Sequence, residues 1–240
     1  MTADHEDPDG TPEAGPPRES VRGAIVTAAF ELFAERGYDE ATVADIVSRA
    51  GVGRRSFFRY FPTKEAVAFP DHEGTLARMV EYLNASALDP DPIGRACGAA
   101  RLVMQMYAQD SEFSVRRYQL TRQAPALKAY EKSVVWRYER ALAVYLEQRL
   151  AAQPDGGIKA SAIAAGIVAA HNYGLRLWLR SGAHGDVAAV VDRALDVVRR
   201  TWAGGGDPIV IVARPDTPTW RLVQEIEQAR GSAVRDALHE

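Results

Sequence analysis

Five cations, Arg49, Arg54, Arg55, Arg59 and Lys64, fall within one stretch of the chain that contains no acidic residue. A +5 window of this kind suits a polyanion. Lys and Arg displace counterions from phosphates, which gives affinity without regard to sequence. An arginine can also form a two-pronged bond to a guanine edge, which discriminates between sequences. Arg54, Arg55 and Ser56 stand next to one another and are of the types that reach base edges and phosphates. The plainer reading of such a run is a solvated helix face.

A second set of residues has the chemistry of a small-molecule site. Met104, Tyr107, Tyr118, Trp136, Tyr138, His171, Asn172 and Trp178 all fall on predicted helices in the later part of the chain. Ligand pockets between helices are lined by aromatic and apolar side chains with a few polar groups. Each of these residues also fits ordinary core or interface packing. His171 and Asn172 stand out because they interrupt the apolar run 160–179, where polar groups need partners.

Enzyme chemistry has little support. His5, His72, His171, His184 and His239 show no metal-ligand spacing. There is no glycine-rich phosphate loop after a strand and no nucleophile elbow. A helical enzyme pairing His171 with a distant carboxylate stays open as an alternative. No metal or cofactor is implied.

The elements that must position these residues are helical. Ile25, Ala28, Ala29, Leu32 and Phe33 recur at three-and-four spacing and predict a helix over 20–36, stopped by Gly37. Thr42 and Asp45 have the spacing of a capping box. They open a second helix with an apolar face of Val43, Ile46, Val47 and Ala50, which Gly51 ends. Gly53 opens a short third helix, with Phe57 and Phe61 facing inward. Two short helices joined by a glycine-containing turn form a helix-turn-helix. A longer helix is expected from 63 to 84, kinked or broken near Phe69-Pro70. Amphipathic stretches follow at about 93–108, 111–122, 126–151, 158–180 and 186–203.

Length and composition agree with this. The chain has 240 residues, 47% apolar and 25% charged, which is enough for a packed core in one or two domains. No apolar run is long enough to span a membrane, and the N-terminus lacks the basic-then-apolar pattern of a secretory signal. Cys97 is the single cysteine, which excludes an internal disulfide and fits a reducing, cytoplasmic setting. The net charge is −3, but residues 1–17 carry five acids and no Lys or Arg, so the rest of the chain is +2. That acidic, proline-rich leader reads as a disordered tail. Gly204-Gly205-Gly206 reads as a linker into an extension, 204–240, of unassigned role.

Residues from about 20 to 66 resemble the DNA-binding domain of TetR-family transcriptional regulators. The resemblance rests on Gly37-Tyr38, Thr42-Val43, Ile46, Ala50-Gly51-Val52, Ser56-Phe57, Tyr60-Phe61 and Lys64-Glu65 in this order and spacing. It implies an all-α protein with a three-helix helix-turn-helix DNA-binding domain (18–66) followed by a helical ligand-binding and dimerisation domain (67–203). It further implies a homodimer on a palindromic double-stranded DNA operator, released by a small-molecule effector, and so a repressor. Thr42, Tyr60 and Lys64 match phosphate contacts, and Arg54, Arg55 and Ser56 lie on the recognition helix. The sequence departs from the family at Gly53, where serine is frequent, and at Phe58, where tyrosine is; Arg59 is placed to compensate. A DNA-binding dimer without a ligand is the second reading. The small residues Ala164, Ala165, Gly166, Ala169 and Ala170, with Val187, Val190, Val191, Ala194, Val198 and Trp202, are the expected dimer-forming face, a four-helix bundle in the dimer.

Overall fold

A computed structural model describes residues 18–85 and 89–203, in which every regular element is a helix. The acidic leader (1–17) and the extension (204–240) lie outside the described residues. The helices are α1 (Arg18–Arg36), α2 (Val43–Ala50), α3 (Arg54–Tyr60), α4 (Lys64–Val67), α5 (His72–Asn84), α6 (Pro92–Gln109), α7 (Ser111–Gln123), α8 (Pro125–Leu150), α9 (Gly156–Arg180) and α10 (Val187–Ala203).

Local chemistry sets most of these boundaries. The Thr42 hydroxyl accepts from the Asp45 backbone N–H at 3.2 Å, and the Asp45 carboxylate accepts from the Thr42 N–H at 3.0 Å. This reciprocal pair satisfies donors that the first turn of α2 would otherwise leave open. Gly51 ends α2 at φ +65°, in the left-handed region where a side chain is strained, and so makes the tight turn into α3. Asp91 caps α6 through the Gly94 N–H at 2.7 Å, and Asp110 caps α7 through the Phe113 N–H at 2.9 Å. The disturbance expected near Pro70 is a complete break. Thr63 caps a helix of a single turn, α4, and a new helix starts at His72. Pro70 has no N–H to continue the ladder, and its carbonyl oxygen accepts from Arg22 of α1.

Two hydrophobic clusters result. The first contains the predicted stripe of α1 with Ile46, Phe57 and Phe61, all buried, together with Val67, Phe69 and, from α8, Leu127. The second is built from α5, α6, α8, α9 and α10 around Leu142, Leu146, Ile163, Ile167 and Leu195. Tyr130 packs against both. α9 runs between α8 and α10. A Cβ at Gly174 would lie 3.0 Å from the Val191 Cα, so glycine lets α9 and α10 approach backbone to backbone.

That close packing corrects part of the expected dimer face. Ala164, Val187, Val191 and Val198 are buried in the core of their own chain, because they sit on the sides of α9 and α10 that face each other and α6. Other positions on the same two helices face outward. Ile158, Ala165, Ala169, Tyr173 and Leu177 on α9 and Val197 on α10 are exposed.

Candidate nucleic-acid interface and helical-domain cavity

α3 is seven residues long and is held by its apolar side. Phe57 is fully buried and Phe61 nearly so, which turns Arg54, Arg55, Phe58 and Arg59 outward. The Arg54 guanidinium lies 5.6 Å from the centre of the exposed Phe58 ring, and that of Arg59 lies 4.9 Å from the Tyr60 ring. Arg59 Nη2 also donates to the Tyr60 hydroxyl at 3.4 Å. Arg55 forms no hydrogen bond or ion pair among the described residues. Ser56 and Tyr60 are half-buried on the flanks. The exposed Thr42 hydroxyl is engaged in its cap and donates to Asp45 Oδ2 at 2.6 Å.

The other two cations of the window are committed elsewhere. Arg49 makes a two-pronged ion pair with Glu35 of α1 and lies 3.8 Å from Glu31. Its guanidinium holds the Glu35 carboxyl below the usual range. The ammonium of Lys64 turns inward, donates to the carbonyl oxygens of Tyr38 (2.8 Å) and Ala41 (2.9 Å), and sits 4.1 Å from the centre of the Tyr38 ring. An ammonium has three N–H donors, so one remains. The free positive charge of the window therefore converges on α3.

The second cluster lines a partly open cavity of about 40 Å³. This is space for roughly three waters rather than for a drug-sized molecule. His72, Tyr107, Tyr138, His171 and Asn172 line it, with Met79, Val103, Leu142, Val168 and Leu175 among its apolar walls. Four of the eight residues expected at a ligand site thus meet there: Tyr107, Tyr138, His171 and Asn172. The other four do not. Met104 is buried in the helical core away from the cavity wall. Trp178 is buried and donates from Nε1 to the Gly185 carbonyl at 3.3 Å, at the turn between α9 and α10. The Tyr118 hydroxyl accepts from Arg180 Nε at 3.2 Å. Trp136 is 63% exposed and lines a surface groove with Leu76 and Val80, because its register on α8 points away from the bundle axis.

His72 is the residue that sequence reasoning missed. It is the first residue of α5, and its Nδ1 lies 3.1 Å from the hydroxyl of Tyr138 on α8. That hydroxyl donates to the His72 carbonyl oxygen at 3.0 Å. Burial drives the His72 imidazole well below its usual pKa, and the Arg117 and Arg137 charges add to this. Burial likewise pushes His171 down to about 4, against a smaller opposing effect of Asn172. Both rings are neutral at pH 7. Arg117, itself buried, stacks 4.3 Å from the Tyr107 ring centre and 5.9 Å from that of Phe69, where the two clusters meet. Among the described residues no three His, Cys, Asp or Glu side chains gather as a metal site, and no helix is long and apolar enough to cross a membrane.

A helix-turn-helix with its basic helix outward, followed by a helical bundle, defines a class of DNA-binding regulators. Residues 25–69 match the family model for bacterial regulatory proteins of the tetR family, and residues 91–203 match that for the MftR C-terminal domain. The chain belongs to the TetR family of transcriptional regulators. Among its relatives is the mycofactocin biosynthesis transcriptional regulator MftR of Mycobacterium tuberculosis, 29% identical over 126 residues, which are 52% of this chain and 63% of that one. Another, from the same organism, is the HTH-type transcriptional repressor Rv3405c, 45% identical over 72 residues, 29% of this chain and 37% of that one. The matches thus span less than two thirds of the length of these curated relatives. A solved structure of the same fold is FadR from Bacillus subtilis in complex with stearoyl-CoA. It has a TM-score of 0.53 at 19% identity and covers 73% of this chain and 96% of that one.

Proposed function

We propose that this regulator is a repressor that binds a palindromic operator as a homodimer in the cytoplasm and is released by a small molecule. Residues 18–66 read DNA, and 67–203 bind the effector and dimerise. The observation that carries the reading is the orientation of α3. Phe57 and Phe61 anchor it, so Arg54, Arg55 and Arg59 project together from a surface where Arg49 and Lys64 are already paired. Arg55 reads a base edge; Arg59, Tyr60 and Ser56 hold phosphates, with Lys64 lending its remaining N–H, and Thr42 joins them by turning its hydroxyl proton from Asp45 to a phosphate. The exposed stripe Ala165, Ala169, Tyr173, Leu177 supports dimerisation through α9. The repressor named among the relatives supports the sign of regulation, and FadR with stearoyl-CoA supports a small-molecule effector.

A ligand shifts such an equilibrium only by its difference in affinity for the two states. The structure offers a route for that difference. His72 on the cavity wall is preceded by Asp71 and Pro70, and both meet Arg22 of α1. A second reading, a DNA-binding dimer without a ligand, is favoured by the small volume of the cavity.

The test is capture and sequencing of genomic fragments by the purified protein beside Arg55→Ala. An inverted repeat recovered by the wild type and lost in the variant supports the regulator reading. Folded, dimeric protein with no enrichment over random DNA overturns it. Small molecules related to the products of neighbouring genes then separate the ligand-responsive from the ligand-independent form.

A further inference from the structure

Two imidazoles, His72 and His171, line the same cavity, and each has an enclosed Nε2 without a hydrogen-bond partner among the described residues. Their other nitrogens determine what those atoms are. Tyr138 has one hydroxyl proton, and it points to the His72 carbonyl oxygen. The hydroxyl oxygen then accepts from His72 Nδ1, which places the ring proton on Nδ1. His171 Nδ1 faces Oδ1 of Asn172 at 3.4 Å, again an acceptor. In both rings Nε2 is left as a bare lone pair.

Two lone pairs buried in one apolar cavity select a particular partner. An unsatisfied buried acceptor is costly, and any group that supplies a proton to it removes that cost. A carboxylate brings only further lone pairs. A cation gains no counter-charge, since no Asp or Glu lines the cavity, and Arg117 and Arg137 oppose positive charge at His72. A neutral N–H or O–H donor meets neither obstacle.

We propose that the cavity receives the polar end of a neutral donor with two protons, a primary amide, whose N–H groups satisfy His72 Nε2 and His171 Nε2 together. Its carbon body packs on Met79, Val103 and Leu175. This rests on the reading of the helical domain as an effector site and assigns that effector its chemical class.

The test uses the full-length protein with ¹⁵N-labelled histidine rings and two probes of nearly the same shape, acetamide and acetate. Ring nitrogen spectra report the tautomer directly. The expected result is a proton on Nδ1 in both rings. Acetamide should shift both Nε2 resonances and bind at least about tenfold more tightly than acetate, the equivalent of one hydrogen bond in a site built for a donor. Tyr138→Phe removes the acceptor from His72 Nδ1. It should erase the tautomer preference and the acetamide response of His72 while leaving the His171 tautomer unchanged. A proton on Nε2 in either ring, no shift with acetamide, or tighter binding of acetate overturns the proposal. Acetate binding that releases DNA would reject the donor chemistry and keep the effector site. Acetamide binding that never alters DNA affinity would keep the donor chemistry and reject the effector role.

Discussion

Lys64 and Tyr38 form a clasp across the DNA-binding head. The Lys64 ammonium donates to the Tyr38 carbonyl at 2.8 Å and lies over the Tyr38 ring, whose hydroxyl donates to Glu65 at 2.5 Å. α4 is thereby fastened to the turn that follows α1. Lys64→Ala should lower the stability of the folded protein by about 1–3 kcal/mol, the range for losing charge-assisted hydrogen bonds. DNA affinity should fall alike on all sequences, with a drop in the salt slope smaller than the ~0.9 expected for one lost phosphate contact. Urea unfolding and salt-dependent DNA titration check both. A full unit of lost slope with unchanged stability would return Lys64 to the phosphates.

Arg55 is the exposed arginine of α3 that has no partner in the described residues. Arg55→Ala should cost roughly 1–3 kcal/mol on the operator and far less on random DNA, the signature of a base contact. Arg59→Ala should weaken both equally. Competition binding on the recovered site and on a shuffled one separates the two. Equal losses for Arg55→Ala would remove its base-reading role.

Tyr173 is 66% exposed at the centre of the apolar stripe on α9. Tyr173→Glu puts charge in that stripe without disturbing the core behind it. The variant should sediment as a monomer, keep its helical spectrum, and bind a half-site in place of the full operator. A variant that stays dimeric places the interface elsewhere.

His171 should make the protein acid-labile. Its folded pKa, about 4, lies below the unfolded value of 6.5, so the unfolded chain takes up the proton first. The contribution is fully present above pH 6.5 and is lost as pH falls from there toward 4. For this ring alone the loss is about 2 kcal/mol at roughly pH 5. His72 acts in the same direction. The difference in unfolding free energy between wild type and His171→Gln, followed from neutral pH downward, reads this contribution directly. A difference independent of pH would mean that the ring is not buried neutral.

Arg22 joins α1 to the segment before α5 through Pro70 and Asp71. Arg22→Ala should leave the affinity of the ligand-free protein for DNA within about threefold, as expected for losing one exposed ion pair and one hydrogen bond. It should blunt effector release. Operator binding with and without effector checks this; full release in the variant would mean that the signal passes elsewhere, with Arg117 between Phe69 and Tyr107 the next position to vary.

Local patterns are legible in the order of residues alone. The Thr42–Asp45 box, the Gly51 turn, the Pro70 break and the spacing of Ile25, Ala29 and Leu32 depend on neighbours within a few residues, so the chain itself specifies them. The same holds for the outward face of α3, since Phe57 and Phe61 can be buried only if Arg54 and Arg55 are not. Which partner a side chain finds across tens of residues is a different matter. Periodicity places Lys64 and Arg49 on helix surfaces, but only the docking of α4 and α2 on α1 shows their charges already paired with Tyr38, Ala41 and Glu35. It marks His171 as a polar residue in an apolar run, but not that His72 and Tyr138 close the same cavity from α5 and α8. Nor does it tell Trp136 from Tyr138. Two positions apart on one helix, they point to opposite surroundings because the crossing of α8 with α5 and α9 decides which arc is enclosed. Sequence spacing encodes the faces of each helix; the relative placement of those faces, and with it the cavity, exists only once the helices have packed.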